Sequence, residues 1–479
     1  MEAIKEAIKQ IYLSYTGKAC EHIEKIPQSG GDRIYFRIKE GAESYIATYN
    51  LNLKENETFI YFAQHFHSKG LPVPKVLAVS ADQKIYLQED LGSESLLDVL
   101  EKEGKTERVY QLFQKSLKAL VQLQVKGSEG LDYSKCLTSK TFGKHAVLTD
   151  LLYYKYYFLD TLQYPYDKQA LIDEFELLSD QLSDSHFNYF LFRDFQSRNI
   201  IVKNDEVFFI DFQGGMKGGM PYDVASLLWQ AKAELSNEWK ERLLNDYIKE
   251  AEQVLSETID ATLFKKQYHG FVLLRLLQVL GAYGFRGLFE RKAHFLTSIP
   301  LGLRNLKSFL EVYTLDKDTP VFAGILKWMV GQEVLDRFTP IQATEKTPLV
   351  ITINSFSYKK GLPSDASENG GGFIFDMRGI LNPGRFDDYK KLSGLDKPVQ
   401  DFLEQKTKMN TFLNSVWDLI DITVENYLAR DFESLQINFG CTGGQHRSVF
   451  AAEQTARHLK NKYKVKVVLA HTNQTNWVK

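Results

Sequence analysis

The feature that most constrains this chain is a pair of short apolar runs, 200–202 and 207–210, separated by a four-residue polar turn. Asp194 and Asn199 come just before the first run, five residues apart, and Asp211 follows the second run directly. Apolar runs this short are typical of strands, so the pattern predicts a β-hairpin. The hairpin would bring Asp194, Asn199 and Asp211 to one end of a small sheet.

These side chains fit the needs of phosphoryl transfer. A carboxylate must accept the proton of the attacking hydroxyl, and hard oxygen ligands must hold Mg²⁺ on the phosphates. Asp194 fits the first role, and Asn199 and Asp211 fit the second. The plainer interpretation is a hairpin with polar ends. It does not account for the D-x₄-N spacing together with Asp211-Phe212 at the end of the second run.

This region resembles the aminoglycoside phosphotransferase and choline kinase superfamily. Arg193 to Asn199, Asp211 to Gln213 and Tyr222 to Leu228 are most similar to the anomeric kinases of cell-wall amino sugars. The resemblance implies an α+β, protein-kinase-like bilobal region that uses ATP and Mg²⁺. Its expected substrate is a free amino sugar, N-acetylmuramate or N-acetylglucosamine, phosphorylated at the anomeric hydroxyl. Phe192 departs from the family, because kinases often carry a histidine there.

Residues 1–92 have the order of a kinase N-lobe, with a hairpin, a helix and two strands. A glycine turn between strands can lay backbone amides over nucleotide phosphates. The helix would supply the αC glutamate through Glu57, although a solvated surface carboxylate explains Glu57 nearly as well. The segment after the last strand resembles the hinge that pairs with adenine. The predicted nucleotide-binding residues are Gly30, Gly31, Asp32, Arg33, Glu57, Glu89 and Leu91.

The expected phosphate-binding lysine is missing from this N-lobe. The strand where a kinase places it reads Ile46 to Tyr49 and has no lysine. Arg33, Arg37 or Lys54 could supply the positive charge instead. A pseudokinase would also lack this lysine, but the intact triplet of Asp194, Asn199 and Asp211 argues against a pseudokinase.

Residues 93–330 show helical spacing and are expected to form the kinase C-lobe. The glycine-rich segment 214–221 suggests a flexible gating loop. Asp223 is expected to cap a helix over 224–235, and in relatives this aspartate also braces the catalytic loop. The candidates for the sugar pocket are Arg275, Tyr283 and Arg286.

Residues 331–348 are polar and are expected to be a linker to an α/β domain over 349–479. Within this domain, the segment 440–448 combines a strand end, a glycine turn and a helix start, an arrangement that favours an anion site. Arg447 would clamp phosphate bidentately. The same segment contains Cys-x₅-Arg-Ser, the loop of cysteine phosphatases, in which the thiol attacks phosphorus. Those enzymes usually carry a histidine at the position of Gly440.

The domain over 349–479 also resembles the C-terminal domain of the RNase adapter RapZ. The similar segments are 375–378, 381–383, 394–399 and 441–449. The resemblance implies binding of glucosamine-6-phosphate and of a small RNA, but the adapter's basic C-terminal tail has no counterpart in 473–479. The residues carried over as phosphosugar ligands are Asp376, Arg378, Thr442, Gly443, Gly444, His446 and Arg447.

The composition narrows the function classes. The net charge of −2 over 479 residues gives no general reason to expect nucleic acid or a membrane as partner. The three scattered cysteines form neither a disulfide framework nor a zinc site, which fits a cytoplasmic location. No run approaches the roughly 18 apolar residues of a membrane span. We therefore expect a sugar kinase with a phosphosugar effector. An RNA-binding adapter whose kinase domain only senses ligand, a phosphatase at Cys441 and a homo-oligomer stay open.

Overall fold

The computed structural model describes residues 2–20, 22–26, 33–41, 43–183, 187–291, 293–313, 318–365 and 372–478. The chain divides into two compact units. The first comprises Met1–Gly284 and Leu301–Val330, and the second comprises Phe285–Pro300 and Gly331–Lys479. The segment Phe285–Pro300, which the sequence assigned to the helical lobe, thus groups with the second unit.

The first unit begins with a five-stranded antiparallel sheet in the order β1-β2-β3-β5-β4. One face of the sheet packs on α1 through Phe36, Ile38 and Leu87, which meet Ile8 and Tyr12. This is the predicted N-lobe of a protein-kinase-like fold, and the prediction is confirmed. The elements are α1 (Glu2–Thr16), β1 (His22–Lys25), β2 (Ile34–Glu40), β3 (Glu43–Tyr49), α2 (Leu53–Ser68), β4 (Val76–Val79) and β5 (Ile85–Glu89).

Residues 93–330 are mainly helical, as the apolar spacing predicted. Two short antiparallel ribbons interrupt the helices, β6 with β9 and β7 with β8. The second ribbon is the predicted hairpin. The elements are α3 (Leu96–Glu103), α4 (Glu107–Ser128), α5 (Lys144–Tyr157), α6 (Lys168–Ser183), β6 (Asn188–Leu191), β7 (Ile200–Lys203), β8 (Glu206–Phe209), β9 (Met216–Gly219), α7 (Pro221–Leu228), α8 (Asn237–Leu255), α9 (Ala261–Tyr283), α10 (Ala293–Leu296), α11 (Ile299–Val312) and α12 (Pro320–Met329).

Three expectations for this region are corrected. The glycine-rich segment is strand β9, not a flexible loop, because Gly215 and Gly218 allow it to lie directly against β6. Asp223 lies inside the first turn of α7 and does not cap it. Finally, the helical stretch Ala261–Phe289 is long and apolar enough to cross a membrane by length and composition, although 61% of its most apolar window is buried inside the fold.

The second unit contains a four-stranded parallel sheet in the order β11-β12-β10-β13. Parallel strands end at the same edge, so Ser357, Asp376 and Cys441 come together there. The α/β prediction is confirmed, and the expected linker contains a short helix, α13. The elements are α13 (Gln332–Phe338), β10 (Val350–Ser357), β11 (Phe373–Asp376), α14 (Lys397–Lys406), α15 (Met409–Ala429), β12 (Ser434–Cys441), α16 (Arg447–Tyr463) and β13 (Lys466–His471).

Candidate active site

The hairpin places the three predicted catalytic residues at one end. Ile200 pairs with Phe209 at the start of the ribbon. The side-chain amide of Asn199 donates to the backbone carbonyl of Asp194 at 2.9 Å, and the backbone carbonyl of Asn199 accepts from the amide of Ile210 at 3.0 Å. Asp211 follows in a left-handed backbone conformation (φ 69°). The two loops that carry Asp194 and Asp211 are therefore joined through Asn199.

Asp223 braces the loop that carries Asp194. It is fully buried, and its carboxylate accepts the backbone amides of Phe192 (2.8 Å) and Arg193 (3.0 Å) and the side-chain amide of Gln124 (3.0 Å). Burial raises the pKa of Asp223 to about 7, against these three hydrogen bonds, which favour the carboxylate. The bracing role implied by the resemblance thus agrees with the geometry.

Two arginines, Arg193, which is partly exposed, and Arg275, which is buried, lie next to Asp194. Arg193 donates to Asp150 and to the hydroxyl of Tyr222, both at 2.7 Å. Arg275, whose side chain is 4% exposed, has its Nη1 3.5 Å from the Asp194 carboxylate and 3.3 Å from the same hydroxyl. A positive charge therefore stands beside the candidate base. The sequence pointed to Arg275 but missed Asp150, which carries no motif of its own.

The other two sugar-pocket candidates lie in different units. Tyr283 ends α9 in the first unit. Burial raises its pKa, while the charges of Arg198 and Arg275 oppose that rise, so Tyr283 lies near the catalytic loop. Arg286 belongs to the second unit, where it pairs with Glu290 at 2.8 Å. The structure therefore does not place Arg286 in the same unit as Asp194.

Arg33 takes the position next to the metal-ligand candidate Asp211. Its Nη2 is 2.5 Å from the Asp211 carboxylate, and its Nε is 3.3 Å from Glu55 of α2. Glu57, the glutamate predicted for the αC position, is exposed, and the glutamate of α2 that pairs with Arg33 is Glu55. Burial alone would raise the pKa of Asp211, but the charge of Arg33 and a hydrogen bond from Gln213 outweigh it and hold that pKa below its usual value.

The remaining nucleotide-site predictions divide into two groups. Gly30, Gly31 and Asp32 lie outside the described residues. In the predicted hinge, Glu89 is the last residue of β5, and the side chain of Leu91 is 4% exposed.

Arg37 and Lys54 are the two cations that do not replace the lysine. Arg37 pairs with Asp90 through its Nε at 2.7 Å and its Nη2 at 3.2 Å. Asp90 lies between Glu89 and Leu91, so Arg37 stabilises the hinge. Lys54 is exposed at the start of α2. Of the three cations proposed from the sequence, only Arg33 therefore reaches the catalytic end.

In the second unit, the segment after β12 wraps around the sulfur of Cys441. The backbone amide of Gly444 donates to Sγ at 3.1 Å, and the hydroxyl of Ser448 lies 3.1 Å from the same atom. Gly444 has φ +63°, and a Cβ there would lie 3.0 Å from Asn473. The hydroxyl of Ser357 donates to the carbonyl of Thr442 at 2.7 Å. The loop is therefore closely packed at the end of the sheet.

The side chains of Arg447 and His446 contact backbone carbonyls of their own domain. Arg447 is 5% exposed. Its Nη1 donates to the carbonyls of Arg378 (3.0 Å) and Ile380 (2.7 Å), so the guanidinium is not free to bind a phosphate through both of its terminal nitrogens. Its Nε is buried without a hydrogen-bond partner among the described residues. His446 Nε2 lies 2.9 Å from the carbonyl of Tyr389, and burial lowers the pKa of His446.

The remaining predicted ligands lie around the same loop. Asp376 and Arg378 form a half-exposed ion pair at 2.7 Å. Asn473 donates to the carbonyl of Gly443, and Trp477 donates to that of Gly444, both at 2.8 Å. The sequence missed these two contacts, because a short polar segment after the last strand carries no periodic signal.

Comparison with known proteins agrees with both units. Residues 22–257 match the phosphotransferase enzyme family, and residues 349–475 match the RapZ C-terminal domain. The chain thus carries a phosphotransferase-family domain followed by a RapZ-type C-terminal domain. The resemblances to the phosphotransferase superfamily and to the RapZ C-terminal domain are confirmed.

The individual relatives match parts of the chain. A nucleotide-binding protein of Shewanella halifaxensis is 40% identical over 120 residues, which is 25% of this chain and 40% of the relative. One of Endomicrobium trichonymphae is 38% identical over 147 residues, 30% of this chain and 50% of the relative. The chain thus spans half or less of the length of these curated relatives.

Two solved structures show a similar fold. One is a thermostable mutant of aminoglycoside phosphotransferase APH(4)-Ia, with a TM-score of 0.41, 14% identity, and coverage of 63% of this chain and 98% of that one. The other is a choline/ethanolamine kinase family protein from Mesorhizobium loti, with a TM-score of 0.44, 12% identity, and coverage of 68% and 99%.

Proposed function

We propose that this chain is an ATP- and Mg²⁺-dependent kinase of a free amino sugar, N-acetylmuramate or N-acetylglucosamine, and that it acts at the anomeric hydroxyl. The observation that carries the proposal is the meeting of Asp194, Asn199 and Asp211 at one end of a hairpin in a phosphotransferase-family domain. Phosphoryl transfer requires a carboxylate that accepts the proton of the attacking hydroxyl and oxygen ligands that hold a cation, and these three residues provide both. We place the activity in the cytoplasm, which the small number and wide scatter of the three cysteines support.

Asp194 has the role of orienting the attacking hydroxyl and accepting its proton. Its carboxylate is half-exposed, so a substrate can approach it, while Arg275 contacts it from the buried side. The brace from Asp223 fixes the backbone on which Asp194 stands. A base held in this way needs little rearrangement when the substrate arrives, and positioning supplies much of the rate in phosphoryl transfer.

The residues present fit a magnesium ion that arrives with the nucleotide. The side-chain nitrogen of Asn199 is occupied by the carbonyl of Asp194, so its oxygen is the atom left for a cation. Asp211 adds a carboxylate. In the described part of the chain no cluster of three or more His, Cys, Asp or Glu forms a cage for a metal. Two protein oxygens completed by phosphates and water are typical of Mg²⁺ in enzymes of this chemistry.

The choice of an amino sugar is supported by both ends of the chain. The segment around the catalytic residues resembles anomeric amino-sugar kinases, and the RapZ-type domain belongs to a family whose resemblance implies glucosamine-6-phosphate as ligand. We propose that the loop after β12 binds such a phosphosugar. The buried, unpartnered Nε of Arg447 supports an anion at this place, because buried donors in native proteins usually have a partner.

The test is ADP release with ATP and Mg²⁺ across N-acetylmuramate, N-acetylglucosamine, glucosamine, choline and an aminoglycoside, each with and without glucosamine-6-phosphate. We expect turnover on one amino sugar. Asp194→Asn should abolish that turnover and leave ATP binding intact. Asp205→Asn in the hairpin turn, where the side chain is 61% exposed, is the matched control and should keep wild-type turnover. Full activity of Asp194→Asn would overturn the assignment.

The panel also separates the kinase from the adapter. If ATP binds but no acceptor turns over, the kinase assignment fails and the chain is better explained as a regulatory adapter. In that case an electrophoretic shift with small RNA at physiological salt is the next measurement, because specific RNA binding weakens steeply as salt rises. The net charge of −2 favours the kinase.

A further inference from the structure

One row of side chains on the N-lobe sheet faces α2. Tyr35, Thr48 and Tyr86 are direct partners across β2, β3 and β5, so they point to the same face. The ring of Tyr86 stacks on Phe59 of α2 at 5.0 Å, which identifies the face. Kinases project their phosphate-binding lysine from this third strand towards a helix glutamate. Here the buried residue on that face of β3 is Thr48.

Arg33 reaches the same place from the neighbouring strand. It lies two residues before Tyr35, and its guanidinium is 5.8 Å from the centre of the Tyr35 ring. Its side chain is 15% exposed and contacts both Glu55 and Asp211. Glu55 in turn accepts a hydrogen bond from the side chain of Asn50 at 2.8 Å, which fixes its position. Arg33 therefore has the two neighbours that the lysine has in a kinase, a helix glutamate and the metal-binding aspartate.

We propose that Arg33 is the nucleotide-phosphate ligand of this chain and that Glu55 is its positioning residue. The proposal rests on the proposed kinase function. A guanidinium is always charged and has a planar fork of donors, so one edge can bind phosphate while Nε stays on Glu55. In the structure, the Nη2 of that fork pairs with Asp211. Phosphate binding exchanges that ion pair for one with the nucleotide.

This exchange explains how the chain manages without the lysine. Thr48 is the buried residue on its face of β3, and Arg33 comes from the position immediately before β2, which runs antiparallel to β3. Arg33 has the same positive charge as the lysine of a kinase, and it lies next to the corresponding pair of carboxylates, Glu55 and Asp211. The absence of a lysine at 46–49 is therefore a displacement of the cation to the residue that precedes β2 and is no sign of an inactive kinase.

The experiment compares the binding of ATP and of adenosine by titration calorimetry, with Mg²⁺ and without sugar, in the full chain. Losing a charge-assisted hydrogen bond typically costs about 10- to 100-fold in affinity. We expect Arg33→Ala to lose about that much affinity for ATP and none for adenosine, and Arg33→Lys to lose less. Arg108→Ala removes an arginine that pairs with Glu103 and Asp205, and it should bind both ligands as the wild type does.

Two further variants test the positions. Glu55→Gln should weaken ATP binding and raise the KM for ATP, with kcat less affected, because it acts through Arg33. Arg33→Ala/Thr48→Lys should regain ATP affinity, because it returns the cation to the kinase strand. If Arg33→Ala binds ATP within twofold of the wild type, the proposal for Arg33 is overturned and the kinase function stands. If the wild type itself does not bind ATP, both are overturned.

Discussion

Gly215→Ala tests whether the ribbon of β6 and β9 holds the catalytic loop in place. A Cβ at Gly215 would lie 2.2 Å and 2.6 Å from ring atoms of Phe190 and 3.0 Å from the carbonyl of Leu191. The ring of Phe190 is fully buried and packs on Phe62 and Phe66, with centroids 5.5 Å and 4.8 Å away. The ring therefore has to move by roughly 1 Å into a filled core, which is costly at native packing density.

Overpacking of this kind costs about 1–3 kcal/mol. The midpoint of thermal unfolding of the first unit should fall by roughly 2–12 °C, since about 2–4 °C is lost per kcal/mol in domains of about 150–250 residues. Because β6 leads directly into the loop of Asp194, kcat should fall as well, by about tenfold to a hundredfold, the effect of misplacing a reacting group by about 1 Å.

Gly214→Ala is the matched control, because the adjacent glycine has no atom within 4 Å of its Cβ position. That variant should unfold within about 0.5 kcal/mol of the wild type and keep its turnover. Scanning calorimetry and ADP release at 25 °C check both variants. Equal stability of the two variants would refute the packing argument. A destabilised Gly215→Ala with wild-type kcat would refute the coupling of the ribbon to Asp194.

Two other predictions follow from buried groups. Because burial raises the pKa of Asp223 to about 7, from about 3.9 in the unfolded chain, its contribution to stability is present below pH 4 and lost as pH rises through 7. In the wild type, this titration should lower the free energy of unfolding, measured in urea, by up to roughly 3 kcal/mol between pH 5 and 8. Asp223→Asn should abolish that decrease. A variant with the same dependence of unfolding free energy on pH as the wild type would contradict the prediction. If the loop around Cys441 is a phosphatase, Cys441→Ser should abolish phosphate release from glucosamine-6-phosphate while Cys20→Ser does not, and release that survives Cys441→Ser excludes the thiol as nucleophile.

The sequence predicted the elements whose signal is local. The hairpin and its end residues were readable because each apolar run is bounded by a turn or by polar side chains within a few positions. The parallel sheet of the second unit was readable for the same reason. What could not be read is a pairing between distant segments. Arg33 and Asp211 are 178 residues apart, and nothing in either neighbourhood specifies the other.

The choice between Glu57 and Glu55 was within reach of the sequence. The buried side of α2 contains Phe59, Phe62 and Phe66. Counting back by four from Phe59 and by seven from Phe62 arrives at Glu55, which therefore shares their face, whereas Glu57 lies about 200° away around the helix. The periodicity alone thus favoured Glu55. The glycines at and just before β9 could not be interpreted from the sequence. Glycine is as common in loops as at close contacts between strands, and only the packing of Gly215 against Phe190 shows that this segment is a strand contact.

Two carboxylates at the catalytic end each pair with an arginine: Asp211 with Arg33, and Asp194 with Arg275. Removing one member of such a pair leaves the other charge partly buried and unpaired, which costs more than the pair contributes. A ligand that engages only one member is therefore disfavoured. In the proposed site, a nucleotide that carries its cation would meet both Arg33 and Asp211 with complementary charge. The proposed arrangement would therefore favour the metal–nucleotide complex over either component alone.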